Sequence, residues 1–391
     1  MRRIVFAALA SLVVVGGALI LSSGHDDDPP RSIGIGTTTS PAPAAPTAPT
    51  ASMPAGTTTT GVAPRGERGS GEAVTFAFAG DVHFPDTLDT DPGDVSSGTP
   101  LAAQLAADPK HVLDPIAPVL SGADLAMVNL ETAITGGGEP VAGKNYHFRS
   151  PAPSFTALRA AGVDVVNLAN NHALDYGPSG MQDTFAAIAS SKFPVTGIGH
   201  DATEAYRPYR TTIKGQRIAI FSALDWLEPE LIPAWSATDT QPGVAFSIDR
   251  TRLVDGMRAV RPEVDTLVVF LHWGTEETSC ASSEQQDLAA TLLAAGADIV
   301  VGSHAHRVFG AGHVGRSLVA YGLGNFVYWR EDGESGRSGV LLVTATGRAV
   351  DTYSWVPARI SHGIPVPQTG EAATADRADW ESRRDCSGLS P

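Results

Sequence analysis

The chain has little cysteine, little charge and no basic patch. Only Cys280 and Cys386 occur in 391 residues, so neither a cysteine-ligated metal site nor a dense disulfide framework can organise it. Lys and Arg number 27 against 42 Asp and Glu, a net charge of -15, and nowhere do the basic residues cluster. That argues against a nucleic-acid partner, whose backbone is bound through clustered Lys and Arg that displace counterions. It leaves open an anionic polymer held locally through metal ions rather than lysines. With 42% apolar and 18% charged residues the bulk is globular, and 41 Gly with 28 Pro imply many loops on which function would sit.

Charge is also missing from Ile4 to Leu21, directly after Arg2 and Arg3. Residues 1–24 therefore read as a signal-peptide core or a short membrane span that keeps its basic end in the cytoplasm. No A-x-A site and no lipid-accepting Cys follows, which favours an uncleaved anchor. Either reading exports the rest, to the outer face of the cytoplasmic membrane or beyond. Residues 25–70 are Pro, Thr, Ala, Gly and Ser with almost nothing to bury, and read as a disordered tether. Residues 71–356 form one large α/β domain, and 357–391 read as an irregular tail. In an exported chain the even cysteine count suggests a Cys280–Cys386 disulfide pinning that tail to the loop around Cys280.

Within the domain, short β-branched runs alternate with helical patterns: Val74 to Ala79, Asp124 to Leu130, Asp164 to Leu168, Arg217 to Ser222, Thr266 to Leu271, Asp298 to Val301 and Leu318 to Leu323. Such runs are strands that bury both faces. Ser283 with Gln286 predicts a capping box, opening a helix that Gly296 closes. Asp124, Asp164 and Asp298 each follow a glycine turn into a strand and are assigned no chemistry.

The polar residues fall at strand exits. Asp81 and His83 follow the first run; Asn129 and Glu131 the second; Asn167, Asn170, Asn171 and His172 the third; His272 and then His304 and His306 the later ones. Open α/β sheets place ligands at the carboxyl ends of their strands, so these residues are expected to converge. In D-x-H and H-x-H on extended backbone, both side chains point the same way. Carboxylates, an amide and imidazoles without cysteine suit Mn, Fe or Zn. The ligand candidates outnumber what one ion needs, whereas two ions about 3.5–4 Å apart sharing a carboxylate would use them.

At this point the residues resemble a known family. The V-N-L-E-T ending at Thr132, the K-N-Y-H-F-R-S-P from Lys144, the N-L-A-N-N-H-A-L-D-Y-G from Asn167, the H-W-G from His272 and the Y-G-L-G-N-F from Tyr321 are similar to CapA-like proteins of capsule and poly-γ-glutamate synthesis, within the calcineurin-like metallophosphoesterase superfamily. The resemblance implies a four-layer α/β/β/α sandwich. It implies one metal on Asp81, His83, Glu131 and His306 and a second on Glu131, Asn171, His272 and His304, with a bridging hydroxide as nucleophile and His172 as general acid. Two departures stand out: the superfamily's bridging Asp is here Glu131, one methylene longer, which could bridge or bind one metal only, and G-H-x-H reads S-H-A-H. His83, in turn, stands where many CapA-like proteins carry Met.

Lys144 and Arg149 read either as anion contacts or as a surface ion pair. Tyr146 and Trp273 read as packing aromatics, Asn325 and Asp175 as turn residues. The expected function is metal-dependent hydrolysis of a phosphoester or amide in an anionic capsule or envelope polymer. The rival is a polymer-binding or assembly component that cleaves nothing.

Overall fold

In the computed structural model, which describes residues 66–86, 99–248 and 250–391, the apolar runs are strands. The leader at 1–24 and nearly all of the tether at 25–70 lie outside the described residues. Parallel strands β1 (Val74–Val82), β2 (Leu125–Leu130) and β3 (Val165–Asn167) lie in an eight-stranded sheet. Parallel strands β4 (Gln216–Leu224), β5 (Thr266–Trp273), β6 (Ile299–His304) and β7 (Ser317–Ala320) lie in a six-stranded sheet.

The period of two along each strand stacks these sheets. Phe76 and Phe78 of β1 and Met127 of β2 share one core with Ile220, Val268, Phe270, Ile299 and Val301 of the second sheet. The alternate residues Ala77, Ala79, Ala126 and Val128 face outward onto helices α1 (Pro100–Ala107), α2 (Ser154–Ala160) and α3 (Gly177–Ser191). On the far side Phe221, Val269, Leu271 and Val300 meet helices α4 (Arg250–Val260) and α5 (Ser283–Ala294) through Leu253, Met257, Leu288 and Leu292. The layers run α/β/β/α, as the resemblance implies. Each strand buries both faces because each sheet is covered twice.

The three aspartates of the glycine turns have a structural task. Asp124 accepts the Thr75 N–H at 2.9 Å, Asp164 the Ala126 N–H at 2.8 Å and Asp298 the Leu267 N–H at 2.8 Å, each joining a strand entry to its neighbour. The capping box of α5 sits one residue earlier than predicted. Ser282 takes the extended N-cap backbone and exchanges bonds with Gln285, which two adjacent serines left ambiguous in the sequence.

The tail is not irregular. Strand Ala349–Ser361 runs past residue 357 and pairs with Ile364–Pro367, after which comes helix α6 (Gly370–Ser382). Pro365 and Pro367 sit on an edge strand that tolerates them, and α6 buries only Ala373 and Trp380, too few for a helical apolar period. Trp380 stacks on Trp355 at 5.7 Å between ring centroids. The start of the domain also lies before Gly71: Gln216 donates to the Arg68 and Glu72 carbonyls at 3.0 and 2.8 Å, and Arg68 pairs with Asp351.

Candidate metal centre

The centre is built where the parallel strands of both sheets end. A Cβ on Gly80 would lie 1.8 Å from the Gly324 carbonyl oxygen, so only glycine lets β1 run this close before presenting Asp81. Glu131 follows β2, its N–H bonded to the Val82 carbonyl at 2.9 Å. Beneath them Asn129, buried in an otherwise apolar strand, donates to Asp81 Oδ1 at 2.7 Å and accepts from Asn167 at 2.7 Å. It thereby locks the three strand ends of the first sheet together. His272 comes from β5 and His304 from the end of β6.

The H-x-H segment does not converge by strand alternation. His304 has φ 98° and His306 φ 53°, left-handed backbone that is uncommon for any residue but glycine. The chain turns between them, and their imidazoles join different donor groups. Glu131, His272 and His304 form one group and Asp81, Glu131 and His306 the other, each with its ligand atoms within 4.8 Å of one another. Glu131 belongs to both.

Around His272 Nε2, His304 Nδ1 lies at 3.0 Å, Asn171 Oδ1 at 2.8 Å and Glu131 Oε1 at 3.4 Å, and on the other side His306 Nε2 lies 4.0 Å from Glu131 Oε1. Spacings of about 3.0–3.4 Å are the edges of a polyhedron whose bonds to a central Zn-like ion are about 2.0–2.2 Å. Both Glu131 oxygens are buried and accept no hydrogen bond among the described residues. Burial, then repulsion from Asp81, pushes the Glu131 carboxyl well above the usual carboxylate range. Burial drives His272 well below the ordinary imidazole value and His304 down to about 3, leaving both rings neutral with lone pairs to offer. Burial works against a charge on His306 as well, yet Glu131 and Asp81 hold it at about 9. In the absence of metal the His306 imidazolium is the one positive ring of the three beside these two buried carboxylates, and divalent cations, which take its place as counter-charge and accept the lone pairs of all three imidazoles, fit this donor set.

Of the residues singled out in the sequence, Asp81, Glu131, Asn171, His272, His304 and His306 are brought together. His83 is not in either donor group; its ring stacks on Phe148 at 4.3 Å, and Phe148 stacks on His172 at 3.8 Å. His172 is buried beside the centre, with Nδ1 2.5 Å from Asp175 Oδ2 and Nε2 4.0 Å from Glu131 Oε1. Asp175 is thus a partner of His172 rather than a turn residue. Burial, against the nearby Lys144 charge, raises its carboxyl to about 6. Asn325 is likewise more than a turn, since its Oδ1 lies 2.8 Å from His306 Nδ1 and orients that ring.

Lys144 and Arg149 are not surface pairs: Lys144 is buried against Asp175 at 2.6 Å at the edge of the cleft, and Arg149 lies 3.6 Å from Asp86 and over the Tyr176 ring. Trp273 is a packing residue, fully buried and bonded to the Tyr321 carbonyl at 2.8 Å, whereas Tyr146 is 42% exposed. Tyr146 lines a cleft of about 270 Å³ with His172, His304, Trp226 and Glu276. Trp226, which sequence reasoning passed over, stacks on His304 at 5.0 Å. No spacing signalled it; only the fold sets it there. Cys280 and Cys386 are joined, with Cα atoms 5.7 Å apart.

The model of the family described as bacterial capsule synthesis protein PGA_cap matches residues 75–329. The chain belongs to that family. Its relatives include the capsule biosynthesis protein CapA of Bacillus anthracis, 28% identical over 66% of this chain and 64% of that one, and the PGA biosynthesis protein CapA of Bacillus subtilis, 28% identical over 64% and 66%. The chain thus spans a little under two thirds of the length of these PGA_cap relatives. A probable polyglutamine synthesis accessory protein of Mycobacterium tuberculosis is 31% identical over 47% of this chain and 50% of that one. Among solved structures, a putative 5'-nucleotidase from Staphylococcus aureus covers 80% of this chain and 58% of its own at 16% identity and a TM-score of 0.45, a likeness too loose to bear on function.

Proposed function

We propose that this PGA_cap chain is an exported hydrolase dependent on two divalent cations, Mn, Fe or Zn, which cleaves a phosphoester or amide bond in an anionic capsule or envelope polymer. The observation that carries the reading is a single buried carboxylate, Glu131, shared by two donor groups and faced by the imidazole of His172. Asp81, Glu131 and His306 would hold one ion and Glu131, Asn171, His272 and His304 the other. Bound cations would polarise the scissile group and supply a nucleophile from water at neutral pH.

The chain's own residues do the rest. Asp175 accepts from His172 Nδ1, which fixes the ring and leaves Nε2 toward the cleft to protonate a leaving group. Trp226 and Tyr146 offer exposed rings at the cleft, against which a substrate can lie. Export is supported by Arg2 and Arg3 before the uncharged run and by the Cys280–Cys386 bond, which suits an oxidising compartment.

Metal content of the full chain, measured by elemental mass spectrometry, tests the reading. About two equivalents per chain, lost in the His304→Ala, His306→Ala double variant, are expected, together with turnover of phosphoester or γ-glutamyl substrates. Absence of bound metal after reconstitution with each ion sinks it. The names of the relatives, which speak of synthesis, favour a second reading as a polymer-handling component; metal-loaded protein that binds the polymer and cleaves nothing would establish that one instead.

A further inference from the structure

The segment from Lys144 to Phe148 lies across the loop that carries Asn171, His172 and Asp175, and holds it at two points. At one end the Lys144 ammonium, buried with its partner, donates to Asp175 Oδ1 at 2.6 Å and to the main-chain carbonyl of Asn171. It also sits 4.8 Å from the centre of the Trp235 ring. At the other end Phe148 donates its backbone N–H to Asp175 Oδ2 at 2.7 Å and lays its ring on His172. Asp175 accepts from His172 Nδ1 with that same Oδ2, so both carboxylate oxygens are engaged and Nε2 is the imidazole nitrogen left toward the cleft.

We infer that Lys144 is a positioning residue which, by fixing Asp175 and the Asn171 carbonyl, aims His172 Nε2 at the leaving group. This rests on the hydrolase reading for the role of His172, while the bracket itself is independent of it. A carboxylate held on one oxygen alone can rotate about its Cβ–Cγ bond, and the imidazole bonded to it swings with it. A charge-assisted bond on the second oxygen, in a buried and weakly screened place, removes that freedom. In the step concerned, a water oxygen bonds to phosphorus and the bond to the leaving oxygen breaks with its electron pair. His172 enters the step as the imidazolium, its Nε2 proton ends on that oxygen, and the proton given up by the water restores the imidazolium. Such a transfer needs near-linear approach, and a displacement of about 1 Å costs on the order of 10²-fold in rate.

The test uses full-length, metal-reconstituted protein with phenyl phosphate, whose leaving group needs a proton, and 4-nitrophenyl phosphate, whose leaving group does not. Lys144→Met is expected to lower kcat on phenyl phosphate by about 10²-fold at unchanged KM, and on 4-nitrophenyl phosphate by less than about 3-fold. Metal content stays at the parent value. Lys144→Gln, which keeps a shorter neutral donor, loses about 10-fold with the same selectivity, and carries the test should the Met variant not fold. Equal losses on both esters, or none, overturn the inference. A readout free of turnover is the downfield ring N–H proton of His172 in the zinc-loaded protein, assigned through His172→Asn. Its loss in Lys144→Met upholds the bracket even if the parent hydrolyses neither ester, in which case the hydrolase reading fails alone; its persistence there overturns the inference.

Discussion

Replacing Glu131 with Gln separates what this residue costs the metal-free protein from what it gives the loaded one. In the absence of metal its carboxyl is buried, accepts no hydrogen bond among the described residues and is repelled by Asp81. A neutral amide in its place escapes that repulsion and can donate an N–H to Asp81, and a hydrogen bond to a charged group contributes about 1–3 kcal/mol. For a domain of about 325 residues with an unfolding entropy of about 2.1 cal/mol/K per residue, that corresponds to a rise of about 2–4 °C in Tm. Because the folded pKa of Glu131 lies above the unfolded one, the folded metal-free protein retains a proton that the unfolded chain has released between those values. Stability of the parent therefore falls as pH rises through that window, and the advantage of the Gln variant, small near about pH 4.5, widens toward neutrality. With two ions each at about 100 times its Kd the parent gains about 5 kcal/mol, or about 8 °C, by mass action. The variant, having lost the shared ligand, gains less than half of that. Thermal denaturation followed by circular dichroism, with chelator and with metal at two pH values, reads all four states. A variant less stable than the parent without metal, or one that keeps the full metal gain, refutes the reasoning.

Three further outcomes are expected. His172→Asn retains its metal, since His172 lies in neither donor group, while turnover of esters with poor leaving groups falls by about 10²–10⁴-fold, read by steady-state kinetics beside elemental analysis. Reducing the Cys280–Cys386 bond, which closes a separation of 106 residues, lowers stability by about 2–4 kcal/mol, visible as a lower Tm in a metal-free phosphine reductant. Asp298→Ala removes the carboxylate from Arg261, which keeps only its bonds to main-chain carbonyls, and from the Leu267 N–H, and costs about 3–5 kcal/mol, read as a lower midpoint in urea; a loss under about 1 kcal/mol would contradict the pairing.

The parallel strands and their exits were legible because burial on both faces leaves uninterrupted apolar runs, and a carboxylate, amide or imidazole directly after such a run is conspicuous. Glu131 and His272 were found that way. Residues whose role depends on partners distant in sequence were not: Asp175 and Asn325 looked like turn formers, and only the fold sets one against His172 and the other against His306. The buried partner of Lys144 was missed for a related reason. The lysine charge suggests an anion from outside, and nothing local reveals that Asp175 matches it within. The C-terminal segment was misjudged because edge strands and a helix with two buried side chains carry weak periodicity.

The left-handed backbone at His304 and His306 bears on how such a site can be moved. An H-A-H tripeptide grafted onto the end of another strand would adopt extended geometry and send both rings to one side, giving a single weak ligand pair. Here β6 ends at His304 against β5, and a Cβ on Gly302 would lie 2.0 Å from the Trp273 ring nitrogen, so the strand arrives pressed against its neighbour and has to turn. What a protein engineer would have to transplant is that crowded approach, with its glycine and its tryptophan; the histidines alone would not carry the arrangement with them.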